Sequence, residues 1–328
     1  MSSLPPDAAQ YLEHWLGPGM VARPLAGDAS VRAYYRVTAP DGRTWILAYY
    51  PEEVRGQLAR FLSSYEVVAP HARLPEVVQH CDIAVLQHDV GDRTLFDVLH
   101  DDRDEGIRLY HAAIDLLVRF QRAPDRRLNT PFTAEFFYNE LAMAREFYVE
   151  RLMGGTGADL EPYAKSICES VARHPYVLCH RDYHGQNIHI FNEQLFLIDY
   201  QDLRMGPDTY DLASLLRDRG VARILGDGTE LEFLELYRAR IGADAAIRRR
   251  YFETLLQRSI KILGTFAKQP IARGRMHYLD FIPATLESIE RCLEELPEYA
   301  PVRDIVPLAF DLDAARERAR KLNDAISE

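Results

Sequence analysis

His180-Arg181-Asp182-Tyr183-His184-Gly185-Gln186-Asn187, followed by Leu197-Ile198-Asp199-Tyr200, decides how this chain is read. It sets an Asn five residues after an Asp and a second Asp seventeen residues after the first. Phosphoryl transfer from ATP calls for three such groups. A carboxylate orients the attacking hydroxyl and takes its proton, while an amide oxygen and a second carboxylate hold magnesium. The flanks suit that layout, because Tyr176-Val177-Leu178-Cys179 and Leu195-Phe196-Leu197-Ile198 read as short buried strands with polar chain between them. A lone His-Arg-Asp is more often a surface turn, and an Asp or Asn after a strand is frequently turn chemistry. The complete set in this setting points to a kinase site, with Asp182 as the candidate base and Asn187 and Asp199 as candidate magnesium ligands, both hard oxygen donors.

Working outward, residues 6–16 pattern as an amphipathic helix. Val31–Val37 and Thr44–Tyr50 pattern as strands around an Asp41-Gly42 hairpin signal, and Glu53–Val68 as a helix beginning after Pro51. Glu76–His80 and Ile83–Gln87 pattern as a further strand pair. From Gly91-Asp92 onward helical spacing dominates, over Leu95–Leu99, Ile107–Gln121, Ala134–Arg151, Tyr210–Arg217, Leu231–Ile241, Arg250–Phe266, Tyr278–Leu296 and Ala314–Ile326. Met153–Gly157 reads as a loop, and Gly206-Pro207-Asp208-Thr209 as a turn leading into the helix that holds Asp211. The expected architecture is α+β and bilobal: a small β-rich lobe over residues 1–86, a connection over 87–92, and a larger, mainly helical lobe over 93–328.

At 328 residues, 47% of them apolar and 27% charged, the chain has the composition of a soluble globular protein with room for two lobes. A net charge of −11 argues against a nucleic-acid partner, since a phosphate backbone calls for a basic face. It leaves room for a local basic pocket around a small anion. Cys81, Cys168, Cys179 and Cys292 are scattered without metal-ligand spacing and read as reduced packing residues. No basic segment followed by an apolar core opens the chain and no apolar run approaches the ~20 residues that span a bilayer. The expectation is a cytoplasmic protein with no membrane partner, its oligomeric state left open.

The nucleotide side is less regular. The turn Ala26-Gly27-Asp28-Ala29-Ser30 holds one glycine, so no Gly-rich consensus is met, although its amides and the Ser30 hydroxyl could contact phosphate oxygens. A plain hairpin turn reads the same way. The first lysine in the chain is Lys165, so the strand Trp45–Tyr49 lacks the phosphate-pairing lysine a protein kinase carries there. Arg32, Arg36 and Arg43 are candidate replacements, and Arg32 is nearest the turn; an exposed Arg on a hairpin is ordinarily just solvated. Near the catalytic run, His180 is expected to support the loop by hydrogen bonding. Gln201 and Asp202 are candidate contacts around the substrate or simply a turn. Asp211 either starts its helix, where a carboxylate suits the helix dipole, or braces the catalytic loop.

Four stretches together resemble the aminoglycoside-phosphotransferase and choline-kinase branch of the protein-kinase-like fold, and within it the anomeric kinases of N-acetylmuramate and N-acetylglucosamine. They are Gly27–Arg36, Gly91–Leu95, the catalytic run through Leu215, and Gln257–Ala267. The resemblance implies an ATP- and magnesium-dependent transfer to the C1 hydroxyl of an amino sugar, feeding cell-wall sugar recycling. Gly27, Asp28, Ser30 and Arg32 are the candidate phosphate side, and the resemblance implies a hinge at Gln87, His88, Asp89 and Val90 whose backbone meets the adenine. Acceptor contacts are expected from Glu140, Asp202, Arg258 and Lys261, each of which could equally be a helix-surface or packing residue. That group tolerates loss of the strand lysine. It usually has a Trp-Tyr-like pair where this chain has Phe147-Tyr148, which leaves the sugar open. The rivals are a kinase for another small alcohol, such as an aminoglycoside or choline, and a catalytically silent nucleotide-binding module.

Overall fold

The computed structural model describes residues 4–25 and 32–327. Five antiparallel strands, β1 (Val21–Pro24), β2 (Ala33–Thr38), β3 (Thr44–Tyr49), β4 (Val77–His80) and β5 (Ala84–His88), form one sheet in the order β1-β2-β3-β5-β4. Alternation along the strands gives this sheet two covered faces. Tyr35, Val37, Trp45, Leu47 and Leu86 point to one side, where helix α1 (Pro6–Leu16) lays Ala8 and Leu12 over them. Ala48 and Val85 point to the other, against Leu58, Phe61 and Val68 of helix α2 (Gly56–Val68). Removing each large aliphatic side chain from water contributes about 1.5–3 kcal/mol, so the period of two in the sequence is what holds the sheet between its two helices.

After β5 the chain turns helical: α3 (Leu95–Asp101), α4 (Arg103–Phe120), α5 (Ala134–Met143) and α6 (Glu161–Val171) precede the catalytic segment. That segment is built from four short strands in two antiparallel pairs. The pairs are β6 (Tyr176–Cys179) with β9 (Arg204–Pro207), and β7 (Ile188–Phe191) with β8 (Gln194–Leu197). Asn192 and Glu193, with φ of 49° and 59°, make the tight turn between β7 and β8. Helices α7 (Tyr210–Arg217), α8 (Ala222–Leu225), α9 (Asp227–Ile241), α10 (Ile247–Arg273), α11 (Ile282–Glu295), α12 (Val302–Ile305) and α13 (Leu312–Ser327) complete the chain. No helix of the described residues is long and apolar enough to cross a membrane.

Four details differ from the sequence reading. Gly206-Pro207 is not a turn but the end of β9: Gly206 pairs with Val177 and Pro207 with Tyr176. Proline is tolerated there as the last residue of a strand with one neighbour. Helix α6, with Pro162 in its first turn, adds an element absent from the expected set. The span Tyr278–Leu296 begins as 3₁₀ helix over Met276–Phe281, and the α-helix starts only at Ile282, with Pro283 in its first turn. The span Ala134–Arg151 widens into a π-helix over Ala144–Leu152. At that junction α10 crosses with Gly264, where a Cβ would lie 2.5 Å from the Ala144 amide nitrogen and 2.6 Å from the Met143 carbonyl carbon. Only glycine permits that backbone approach, which anchors the α10 turn carrying Lys261 against the end of α5 carrying Glu140.

Candidate active site

The loop after β6 is held from three directions. Asp211, at the start of α7 and fully buried, accepts hydrogen bonds from the amides of His180 (2.7 Å) and Arg181 (2.9 Å). Of its two readings, the brace is therefore present in the structure. Burial pushes the Asp211 pKa up, while His180, the two amides and Arg258 pull against that. His180 donates from Nε2 to the Ile198 carbonyl (2.9 Å) and accepts at Nδ1 from the Asp182 amide (3.3 Å), a partner set that assigns the neutral tautomer. The ring thus ties the loop to the residue before Asp199. From outside, the α3 backbone passes so close to Gly185 that a Cβ there would sit 2.9 Å from the Phe96 nitrogen.

Those braces hold two strained residues in place. Arg181 (φ 82°) and Asp199 (φ 62°) both occupy the left-handed region, at a cost of about 1–3 kcal/mol each for non-glycine residues. Asp182 and Asn187 are linked directly, Asn187 Nδ2 donating to the Asp182 carbonyl at 2.8 Å. Asn187 also accepts at its own carbonyl from the Ile198 amide (3.0 Å), and Ile188 pairs with Leu197 next along the hairpin. Hairpin register is thus what brings Asn187 beside Asp199, 12 residues on in the sequence (199 − 187). Their amide and carboxylate oxygens are the hard donor types magnesium takes, and the Asp199 side chain is 41% exposed. Among the described residues no cluster of three or more His, Cys, Asp or Glu forms a separate metal cage.

Asp182 is exposed to solvent, yet enough protein surrounds it for burial to oppose its charge. Lys261 in the first place, then His184, His180 and Arg258, outweigh that penalty, and its pKa lies below the ordinary carboxylate value. Lys261 Nζ is 3.9 Å from the Glu140 carboxylate, so these two predicted residues do meet across α10 and α5, near Asp182.

Other predicted residues are placed differently. Arg258 is 2% exposed. Its guanidinium pairs with Asp218 at 2.7 Å, lies 4.3 Å from the Tyr210 ring centroid and donates to the Arg181 carbonyl at 3.4 Å. It braces the loop from behind instead of facing the acceptor, because that is where its partners are. Asp202 lies 3.7 Å from Arg60 of α2, tying the segment after Asp199 to the sheet's helix.

On the nucleotide side, Gly27, Asp28 and Ser30 lie outside the described residues. The three arginine candidates separate clearly. Arg43 pairs with Asp41 within its hairpin (2.7 Å), and Arg36 binds Asp89 (2.6 Å) and Asp92 (2.7 Å). Arg32 reaches Asp199 (3.6 Å) beneath the rings of Tyr34 and Tyr50. In the hinge stretch the side chains are all engaged: Gln87 with the Pro75 carbonyl and Tyr200, His88 with Glu76, and Asp89 with Arg36; Val90 is buried. The His88 amide donates to the Glu76 carbonyl (2.9 Å), so that N–H does not face a ligand.

Sequence reasoning missed three residues of the site. His184 sits beside Asp182, Asp218 and Arg219 with its Nδ1 buried and unpartnered, and burial lowers its pKa to about 4. Arg181 and Arg204 stack together on Phe132, 5.7 and 5.4 Å from its centroid. Both lie in stretches already singled out, but no spacing rule marks an Arg as lining a site.

An Asp-Asn-Asp set on the loops flanking short strands, beside a five-stranded sheet and a helical body, is the geometry of a phosphotransferase, and comparison with known proteins agrees. Residues 21–251 match the model of the phosphotransferase enzyme family (APH). The chain belongs to this family. An N-acetylmuramate/N-acetylglucosamine kinase of Pseudomonas putida is 27% identical over 297 residues, covering 86% of each chain. One of Neisseria meningitidis is 25% identical over 305 residues, covering 84% of this chain and 87% of its own. Among solved structures, ADP-bound aminoglycoside phosphotransferase APH(2'')-Ib superposes with a TM-score of 0.60 at 14% identity, over 88% of this chain and 99% of its own. A choline/ethanolamine kinase family protein from Mesorhizobium loti gives 0.60 at 16% identity, over 94% and 95%. The fold is the bilobal, protein-kinase-like α+β fold, and the chain is a phosphotransferase.

Proposed function

We propose that this phosphotransferase moves the terminal phosphoryl group of ATP to the anomeric hydroxyl of N-acetylmuramate, N-acetylglucosamine or a related amino sugar. The observation that carries the reading is the environment of Asp182, an ionised carboxylate in a cleft with Lys261 above it and the Asn187–Asp199 pair beside it. A base with a lowered pKa is a poor match for an ordinary alcohol. The C1 hydroxyl of a hemiacetal is more acidic, so a weak base suffices. Asp182 orients that hydroxyl and takes its proton as the bond from O1 to phosphorus forms and the bond to the ADP oxygen breaks; the proton then leaves to solvent. Asn187 and Asp199 are the residues that would hold magnesium, which supplies charge neutralisation on the phosphates. Arg32, held at Asp199, is the cation left on the sheet side for the role the absent lysine has elsewhere. The nucleotide would lie along the 87–92 connection between a lobe of residues 1–86 and one of 93–328, with the Asp89 and Val90 backbone toward the adenine.

The relatives' names support the amino-sugar acceptor, and so does charge. Lys261, Arg181 and Arg204 outnumber Glu140 on this side of Asp182, which disfavours a polycationic aminoglycoside or a choline headgroup. The intact Asp182, Asn187 and Asp199 weigh against a silent module. A sugar 1-phosphate product suits a cytoplasmic place in cell-wall sugar recycling. The test is phosphorus NMR of the protein with ATP, magnesium and, in turn, N-acetylmuramate, N-acetylglucosamine, glucosamine, galactose and kanamycin. A sugar 1-phosphate resonance from an N-acetyl amino sugar is expected; signal with kanamycin alone, or with no acceptor, would overturn the reading.

A further inference from the structure

Arginines drawn into the protein body are mostly neutralised. Arg217 pairs with Glu230, Arg250 with Asp208 and Arg258 with Asp218. Arg181 and Arg204 break that pattern. Neither forms an ion pair among the described residues, and the Nε of each is buried without a hydrogen-bond partner. Their planes are fixed all the same. Both stack on Phe132, and Arg204 also lies 4.3 Å from the Phe136 centroid and donates through Nη1 to the Thr130 carbonyl.

Strand pairing explains how two like charges come to share one aromatic shelf. Arg204 opens β9 directly across from Cys179, and Arg181 follows Cys179 by two residues, in its left-handed conformation. Burial and the neighbouring Arg181 lower the Arg204 pKa, so the pair is held at an electrostatic disadvantage. The nearest carboxylates that bear on Arg204 are Glu140 and Asp202, and each is drawn elsewhere, Glu140 to Lys261 and Asp202 to Arg60. The pair also borders the reacting group, since Arg181 is the residue before Asp182, and both act on the buried Tyr210 hydroxyl together with Glu140.

With each Nε buried and Arg204 Nη1 engaged at Thr130, it is the terminal nitrogens of Arg181 and Nη2 of Arg204 that can meet a ligand, and two planar guanidiniums held in fixed orientation suit a carboxylate. We propose that Arg181 and Arg204 form a carboxylate subsite of the acceptor pocket, selecting an amino sugar that carries an acidic ether substituent over its neutral counterpart. This rests on the amino-sugar reading above and deepens it: N-acetylmuramate, not N-acetylglucosamine, is the preferred acceptor.

The experiment measures kcat/KM for N-acetylmuramate, its methyl ester and N-acetylglucosamine, with the unaltered protein and with Arg204→Met and Arg204→Lys. With the unaltered protein the acid is preferred over the ester about 30-fold, the effect of one charge-assisted hydrogen bond. Arg204→Met, which keeps the packing on Phe136, lowers the acid-to-neutral ratio by a similar factor, chiefly through KM for the acid. Arg204→Lys, which keeps the charge but not the fork, recovers part of it. Equal kcat/KM for acid and ester in the unaltered protein would overturn the subsite whether or not any variant folds, as would an unchanged ratio in Arg204→Met. In both outcomes the sugar-kinase reading stands. Failure of all three sugars to be phosphorylated would overturn that reading and the subsite together.

Discussion

His184 gives the site a pH signature that can be calculated. Its imidazole is packed beside Asp182, and burial, assisted by Arg219, lowers its pKa from the ordinary 6.5 to about 4. The unfolded chain therefore takes up this proton at a higher pH than the folded one. Stability linked to His184 is fully present above pH 6.5, falls as the pH drops through that value, and reaches its limit below about 4. At about 1.4 kcal/mol per pH unit the whole interval amounts to about 3.4 kcal/mol, and about 2 kcal/mol of it is gone at pH 5. Solvent reaches part of the ring, and allowing for screening leaves about 1–2 kcal/mol at pH 5. The assay is urea unfolding of the unaltered protein and of His184→Asn at pH 8 and pH 5. The variant lacks this titration but keeps every other group, so the unaltered protein should lose about 1–2 kcal/mol more than the variant between the two conditions. Parallel losses in the two proteins, or an NMR titration midpoint for His184 near 6.5, would refute the reasoning. The consequence for chemistry is that His184 is neutral at pH 7, so Lys261 and Arg258 are the charges that keep Asp182 ionised there.

Two further outcomes follow from the geometry. Asp182→Asn should lower kcat by about 10³-fold or more, within the span assigned to a positioned proton acceptor, while nucleotide affinity measured by calorimetry changes little; near-normal turnover would remove Asp182 from the chemistry. Gly264→Ala gains about 1 kcal/mol of helix propensity but forces a methyl group to within 2.5–2.8 Å of the Met143–Ala144 backbone. The net effect should be a loss of about 1–3 kcal/mol, read as a lower Tm, with reduced activity because Lys261 lies one turn away on the same helix; a variant as stable as the unaltered protein would falsify that close crossing.

How much of this was legible from sequence depends on how far apart the cooperating residues lie. Asp182, Asn187 and Asp199 could be read because one short hairpin carries all of them: once Ile188–Phe191 and Gln194–Leu197 pair, Asn187 and Asp199 must lie at the same end. The sheet was legible for a similar reason, its strands being local, alternating and joined by recognisable turns. The π-helix over Ala144–Leu152 was not; it begins where Gly264, on a helix far along the chain, packs on the Met143–Ala144 backbone. The acceptor side follows the same rule. Glu140 and Lys261 meet only when α5 and α10 pack, whereas Arg258, three residues before Lys261, turns inward to Asp218. From a helical repeat alone the two cations are neighbours with equal claim to the acceptor. What separates them is the partly buried Asp218 carboxylate contributed by the turn after α7, whose backbone passes through a left-handed residue at Arg219. In this fold long-range partners thus take some charges out of the cleft and leave others in it. Arg181 and Arg204 stand out by this measure, as two guanidiniums on one aromatic shelf that no carboxylate of the described chain has claimed.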